Sequence, residues 1–202
     1  KTIQTNGSIE IRIEQVEGDL EIIGWGQTTV EAESDDDSEL TLDLKGSVLR
    51  VNCESDLSLR VPQSAIISIE APQGDVEINN VFSAIKIVDI QGDIELNNIG
   101  ALSVSTVNGD LEANNIHGAV QLGTVEGDVQ LNNVHGPCNA GKVEGDFSAN
   151  NVHGTLEVNA EGDISVTNVH GNLNAHAGGD LSIQSSYSNI NANVGGDASL
   201  RL

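Results

Sequence analysis

The dipeptide Gly-Asp returns at Gly74, Gly92, Gly109, Gly127, Gly145, Gly162, Gly179 and Gly196, at spacings of 18, 17, 18, 18, 17, 17 and 17 residues. So short and regular a period marks a solenoid, in which each coil buries its apolar face only against the coils above and below. No other feature of the sequence restricts the fold as tightly.

From Gly127 to Glu144 the apolar residues are Val129, Leu131, Val134, Cys138, Ala140 and Val143, a pattern of about nine residues, G-x-Φ-x-Φ-x-x-Φ-x, written twice. The step of two is strand periodicity, and the extra residue before the third apolar position turns a corner. Each coil is therefore expected to hold two short strands and two corners, with successive coils stacked as parallel strands roughly 4.8 Å apart. Leu111, Ala113, Ile116, Val120, Leu122 and Val125 fill the same six slots in the coil before, and Phe147, Ala149, Val152, Leu156, Val158 and Ala160 in the coil after. Slots that are small or β-branched, in a chain with 2% aromatic residues, imply a narrow packed interior. Glycine at each corner is expected to supply a positive φ. The fold class is thus all-β: a parallel β-solenoid, expected as a right-handed β-helix, with 17–18-residue coils and an N-terminal β cap.

Residues 1–62 read as that cap and residues 63–202 as the repeats. Ile9 to Ile13, Val16 to Trp25 and Thr28 to Glu33 are strand-like, and Lys45-Gly46-Ser47 separates two alternating strands as a hairpin turn does. Between them Ser34 to Ser38, SDDDS, reads as a polar surface loop without the ligand spacing or glycine of a calcium loop. Pro62 and Pro72 each end a strand. Antiparallel and irregular strands here are expected to cover the first coil and hide its open edge. At the other end GGDASLRL, Gly195 to Leu202, stops partway round the repeat, so either further chain or a second copy is expected to cover it. The sequence contains no Met, and it is expected to begin after a processing event or to be a fragment.

Charge narrows the partners. The chain carries 31 acidic against 8 basic residues, a formal net charge of −23, and only Lys86, Lys142 and Arg201 lie beyond Arg60. Nucleic acid and anionic membrane both need clustered Lys or Arg, so neither is expected, and polyanionic sugars are disfavoured for the same reason. Cations, neutral glycans, cationic surfaces and other copies bridged by divalent metal remain. No apolar run approaches the roughly 18 residues of a membrane span, so this segment is not expected to insert directly. Cys53 and Cys138 fall on apolar-phase positions and are expected as buried free thiols.

Stacking converts repeats into columns. The first is Asp75, Asp93, Asp110, Asp128, Asp146, Asp163, Asp180 and Asp197, flanked by Glu126, Glu144 and Glu161. Carboxylates at the coil spacing repel by roughly 0.9 kcal/mol per neighbouring pair even in water, so something must offset the repulsion. Either each Asp accepts backbone N–H bonds in its own turn, or the row holds divalent cations, Ca²⁺ being the candidate for this column; no other cofactor is expected here. The second column is paired Asn, in which Asn80, Asn98, Asn115, Asn133, Asn151 and Asn168 are expected to take left-handed corner conformations and to bond along the stack. The third is His117, His135, His153 and His170, with Phe82 and Tyr187 in phase and Gly100 interrupting. These rings are expected to point outward and either to stack or to share Zn, Ni or Cu. Nucleophilic catalysis is not expected, because no Ser flanks these His and Cys138 fills a core slot.

The stretch GDLEIIGWGQTTVEAES, then LRVN, then LSLRVPQSAIISIEAPQGDVEINNV and repeated V-x-G-D-Φ-x-Φ coils resembles the bacterial and archaeal "putative adhesin" domain family, related to autotransporter-adhesin head domains. The resemblance covers nearly the whole chain. It implies a β-solenoid displayed at the cell envelope or outside the cell, usually behind a membrane anchor, and it supplies no catalytic residues. Three functional readings follow. The first is a non-enzymatic, rigid acidic rod for adhesion or display, with a cell-surface, glycan or protein ligand whose identity stays open. The second is a scaffold that self-associates through its solenoid ends. The third, a polysaccharide-active β-helix enzyme, would be expected to break the repeat with long loops, and this chain has none.

Overall fold

The computed structural model describes residues 1–5, 8–35, 40–186 and 188–201. Tyr187 and most of the SDDDS loop fall outside the described residues. The described chain is all strand and turn, with no helix. The N-terminal strands are β1 (Thr2–Gln4), β2 (Glu10–Val16), β3 (Leu20–Trp25), β4 (Thr29–Ser34), β5 (Thr41–Lys45), β6 (Val48–Cys53) and β7 (Leu57–Pro62). The regular coils follow as β8 (Ile66–Ile69) and β9 (Val76–Asn79), β10 (Ile85–Ile90) and β11 (Ile94–Ile99), β12 (Leu102–Val107) and β13 (Leu111–Ile116), and β14 (Val120–Val125) and β15 (Val129–Val134). They continue as β16 (Cys138–Val143) and β17 (Phe147–Val152), β18 (Leu156–Ala160) and β19 (Ile164–Val169), β20 (Leu173–Ala177) and β21 (Leu181–Gln184), and β22 (Ile190–Val194) and β23 (Ala198–Arg201).

Each coil gives one strand to each of two sheets, so the chain is a parallel β-solenoid. One sheet runs β1-β4-β7-β3-β9 and then through the odd-numbered strands to β23. The other runs β5-β6-β2-β8 and then through the even-numbered strands to β22. Residues one period apart sit side by side, as in Ile94↔Leu111↔Val129 and Leu102↔Val120↔Cys138. The six apolar slots of the coil from Leu111 to Val125 are all buried, the most exposed being Val120 at 2%.

The corner residue is now explicit. In Leu96-Asn97-Asn98-Ile99, Leu96 points in, Asn97 points out, and Asn98 has φ 57, which bends the strand so that Ile99 points in again. Asn98 drops out of the ladder, where Asn97 pairs with Asn114 and Ile99 with Ile116. Glycine does not supply these corners. Among described glycines only Gly46, in the β5–β6 hairpin, has positive φ, so the expectation of left-handed glycine at each Gly-Asp corner is corrected below.

The N-terminal region departs from the expected cap of antiparallel and irregular strands. β3 pairs in parallel with both β7 and β9, and β2 in parallel with both β6 and β8. Residues within 10–62 therefore contribute two ordinary coils, laid down out of order, with the later β6–β7 coil stacked outside the earlier β2–β3 coil. The physical reason is that Leu20, Ile22, Leu57 and Leu59 keep the apolar phase of every later coil and are buried like them. Only β1, β4 and β5 are antiparallel, at the rim. Val30, Ala32 and Leu40 close that end of the core.

At the far end β23 pairs with β21 alone among the described residues, all four of its residues are exposed, and Leu200 is 49% exposed.

The two coil lengths also have a structural cause. In the Gly92 coil the loss falls at a corner, where Ile99-Gly100-Ala101 faces Ile116-His117-Gly118-Ala119, with Gly118 N–H bonded to Gly100 O and His117 N–H to Ile99 O. In the later coils it falls within the second sheet. There Cys138–Val143 is followed by the five-residue Leu156–Ala160, with a register shift between Ala140 and Val143.

Candidate functional site

The polar residues assemble into four files along the rod, and the aspartate file is the longest. The Asp93 backbone N–H donates to Asp75 Oδ1 at 2.8 Å, Asp110 to Asp93 at 2.8 Å, Asp128 to Asp110 at 2.7 Å, and Asp146 to Asp128 at 2.8 Å. Asp163, Asp180 and Asp197 continue the file at 2.7, 2.7 and 2.8 Å. Each carboxylate as far as Asp180 thus accepts from the next coil, whereas the sequence offered backbone bonds within its own turn as one of two alternatives. A charge-assisted bond at each step offsets the repulsion between neighbours. The file begins earlier than the regular repeat, since Asp19 N–H donates to Asp56 Oδ1 and Asp75 N–H to Asp19 Oδ1, both at 2.9 Å. Asp56 was hidden because Ser55 stands where the other turns have glycine.

This file explains the glycines. A Cβ on Gly145 would lie 2.2 Å from Asp128 Oδ1 and 2.7 Å from Gly127 O. Every Gly-Asp glycine from Gly92 to Gly196 meets the preceding Asp Oδ1 at 2.1–2.3 Å in the same way. Glycine is needed because the preceding carboxylate and the stacked backbone occupy the space of a side chain.

Beside the aspartates runs a second carboxylate file that the sequence reading missed. Glu21, Glu77, Glu95 and Glu112 are in register on the outer face of the first sheet, each two residues after an Asp of the first file. Glu77, Glu95 and Glu112 accept from Asn79, Asn97 and Asn114 at 2.6, 3.0 and 2.9 Å, and Glu21 accepts from Ser58. The signal was present as GDLE, GDVE, GDIE and GDLE, which changes to GDVQ and then to Ser after Gly127. Together with Glu33 and Asp35 these residues line an open groove of about 850 Å³ with no Lys or Arg in its lining.

The asparagine file lies at the corner. Asn80, Asn98, Asn115, Asn133, Asn151 and Asn168 all have φ between 55 and 60, and Ser185 takes the next position at φ 58. Asn98 donates to Asn80 Oδ1 at 2.7 Å, Asn133 to Asn115 at 3.0 Å, Asn151 to Asn133 at 3.0 Å and Asn168 to Asn151 at 2.9 Å. Between Asn98 and Asn115 the Asn98 Oδ1 instead meets His117 Nε2 at 3.0 Å. The structure therefore uses these amides twice, once to turn the backbone and once to tie coils together.

The imidazole file is exposed along its length. Ring centroids lie 5.5 Å apart for His117–His135, 5.1 Å for His135–His153 and 4.9 Å for His153–His170, with interplanar angles of 31°, 7° and 16°. Gly100 leaves the file one ring short: its N–H bonds Val81 O just as each file His N–H bonds the apolar residue of the coil before, and Phe82 meets His117 edge-on across the gap at 6.1 Å.

Among the described residues no group of three or more His, Cys, Asp or Glu side chains is placed to hold a metal ion. The aspartate and imidazole files, both weighed as metal ligands from the sequence, are not brought together. Lys142 reaches Glu144 at 2.6 Å and Glu161 at 3.2 Å, and donating to them holds its ammonium pKa above the ordinary value. Cys53 and Cys138 are buried and unpaired, and burial pushes the Cys138 thiol up to about 12, leaving almost no thiolate at neutral pH.

The profile of the Toastrack DUF4097 family matches residues 2–199. Among curated proteins none matches the sequence. Solved structures of similar arrangement include a "putative adhesin" from Parabacteroides distasonis, at 13% identity over 98% of this chain and 95% of that one, with a TM-score of 0.35. Another from Bacteroides fragilis has 17% identity over 98% and 94% of the two chains, also at 0.35. A third from Parabacteroides merdae has 11% identity over 99% and 95%, at 0.33.

Proposed function

This chain belongs to the Toastrack DUF4097 family, and from that premise we propose that it is a non-catalytic module of the cell envelope, presented outside the cell as a stiff acidic rod for attachment or display. The observation that carries this reading is the unbroken aspartate file from Asp56 to Asp197, in which each carboxylate as far as Asp180 is committed to the next coil. Polar groups that recur as a regular file serve the stack, whereas an enzyme of this architecture concentrates its chemistry where the repeat is broken. Removing antiparallel β1 and β4 from one sheet and β5 from the other leaves ten parallel strands in each. At the coil spacing these span roughly 45 Å, enough to hold a binding face clear of a surface.

The test is labelling of intact cells that express the protein with its native flanking sequence. Membrane-impermeant biotinylation at lysines is expected to mark it before lysis, and labelling only after lysis contradicts the proposal.

A second reading, assembly of copies end to end, is favoured by a fall in charge along the rod. Residues 164–202 carry only Asp180 and Asp197 against Arg201, so mutual repulsion between copies is weakest over these coils. Light scattering across a concentration series is expected to show growth under that reading, and a concentration-independent monomer removes it.

A further inference from the structure

We infer that neighbouring histidines of the imidazole file form two-histidine chelate sites for divalent transition cations, one at His117–His135 and one at His153–His170. The inference rests on geometry. Four of the chain's five His stand in one exposed file, held at fixed spacing by backbone pairing of the coils beneath them. Imidazole is the preferred side chain for Zn²⁺, Ni²⁺ and Cu²⁺.

Two imidazole nitrogens bound side by side at about 2.1 Å from one ion must come within about 3 Å of each other. The rings of His153 and His170 already lie nearly parallel with centroids 4.9 Å apart, so their outer edges need to lean together by about 1 Å each. Rotation about the side-chain torsions supplies that lean, and the outward position of the rings leaves room for it. His117 and His135 begin at 5.5 Å and are already tilted by 31°, and His117 Nε2, which meets Asn98 Oδ1 at 3.0 Å, exchanges that partner for the ion or binds through Nδ1. Two imidazoles on a rigid frame lose little freedom on chelation, which favours the pair over a single imidazole. The net charge of −23 raises the local concentration of any cation. The aspartate file is a poor competitor for such ions, because one oxygen of each carboxylate is held by a backbone N–H and carboxylates favour harder cations.

Pairing of neighbours makes a prediction that four independent histidines do not. Calorimetric titration of the 202-residue chain with Ni²⁺ is expected to give two ions per chain. Phenylalanine is the chosen replacement, because Phe82 shows that the file accepts a phenyl ring. The double variant H117F/H135F keeps His153 beside His170 and is expected to bind one ion at wild-type affinity. H135F/H170F also keeps two histidines but separates them by two coils, roughly 10 Å, and is expected to bind at least tenfold more weakly. Equal binding by the two variants, or no binding by the wild type at millimolar Ni²⁺, overturns the inference. A second measurement needs no variant. In wild-type NMR spectra Ni²⁺ should broaden the imidazole signals of the four file members well before that of His176, which is exposed on the other sheet beside Asn159 and Asn193, while Ca²⁺ should leave the imidazole chemical shifts unchanged. Simultaneous broadening of all five contradicts the chelate.

Discussion

Replacing Gly145 with alanine is expected to destabilise the fold by about 2–4 kcal/mol, although it adds a single methyl group at a surface turn. The new Cβ falls 2.2 Å from Asp128 Oδ1 and within 2.8 Å of the Gly127 carbonyl group. The carboxylate must leave, which breaks its bond to the Asp146 N–H, and the two coils must then move apart against the ladders on both sides. For a chain of this length the melting temperature should fall by roughly 5–12 °C. Gly26→Ala is the matched control. Nothing lies within 4 Å of the Cβ position at Gly26, and this change is expected to stay within about 0.5 kcal/mol of wild type.

Phe147→Ala is expected to cost about 3–5 kcal/mol. Phe147 is among the largest fully buried side chains, and it occupies a slot filled by Val129 in the coil before and Ile164 in the coil after. The same stretch of interior is lined by Cys138, Ala140 and Ala149, all small, so one large ring takes volume that other coils share among several side chains. A rod in which each coil touches only its neighbours has no distant part to collapse into the void. Phe147→Leu keeps most of the volume and is expected to cost under about 1.5 kcal/mol. Chemical denaturation of both variants checks the pair, and an alanine variant as stable as the leucine variant contradicts the packing account.

The coil itself was legible because its two periods are local. A step of two marks the strands, and the Asn pair marks the corner at which Ile99 or Ile116 turns back inward. What a period cannot report is which of two equivalent neighbours a group bonds. An Asp repeated at every corner satisfies its own turn or the next coil with the same sequence, and only the structure distinguishes Asp146 N–H to Asp128 Oδ1 from a bond within the turn. Glycine had the same ambiguity, since positive φ and close approach both demand it, and here close approach decides. The order of the first coils was hidden for another reason. Asp19 and Asp56 are 37 residues apart in sequence yet adjacent in the file, with Ser55 masking the second turn. The Glu21, Glu77, Glu95 and Glu112 file was visible as a glutamate two residues after each aspartate, but it fades after Glu112 and so lacks the regularity that drew attention to Asp.

Whether the aspartate file ties coil to coil is decided by a double-mutant cycle between Asp128→Ala and Gly145→Ala. If the Asp128 carboxylate holds the next turn, much of the alanine penalty at Gly145 comes from displacing it, and that part vanishes once Asp128 is gone. The double variant is then expected to be more stable than the sum of the two single losses by about 1 kcal/mol or more, measured by urea denaturation. Additivity within about 0.5 kcal/mol would mean that Asp128 and Gly145 act independently, and would contradict the account.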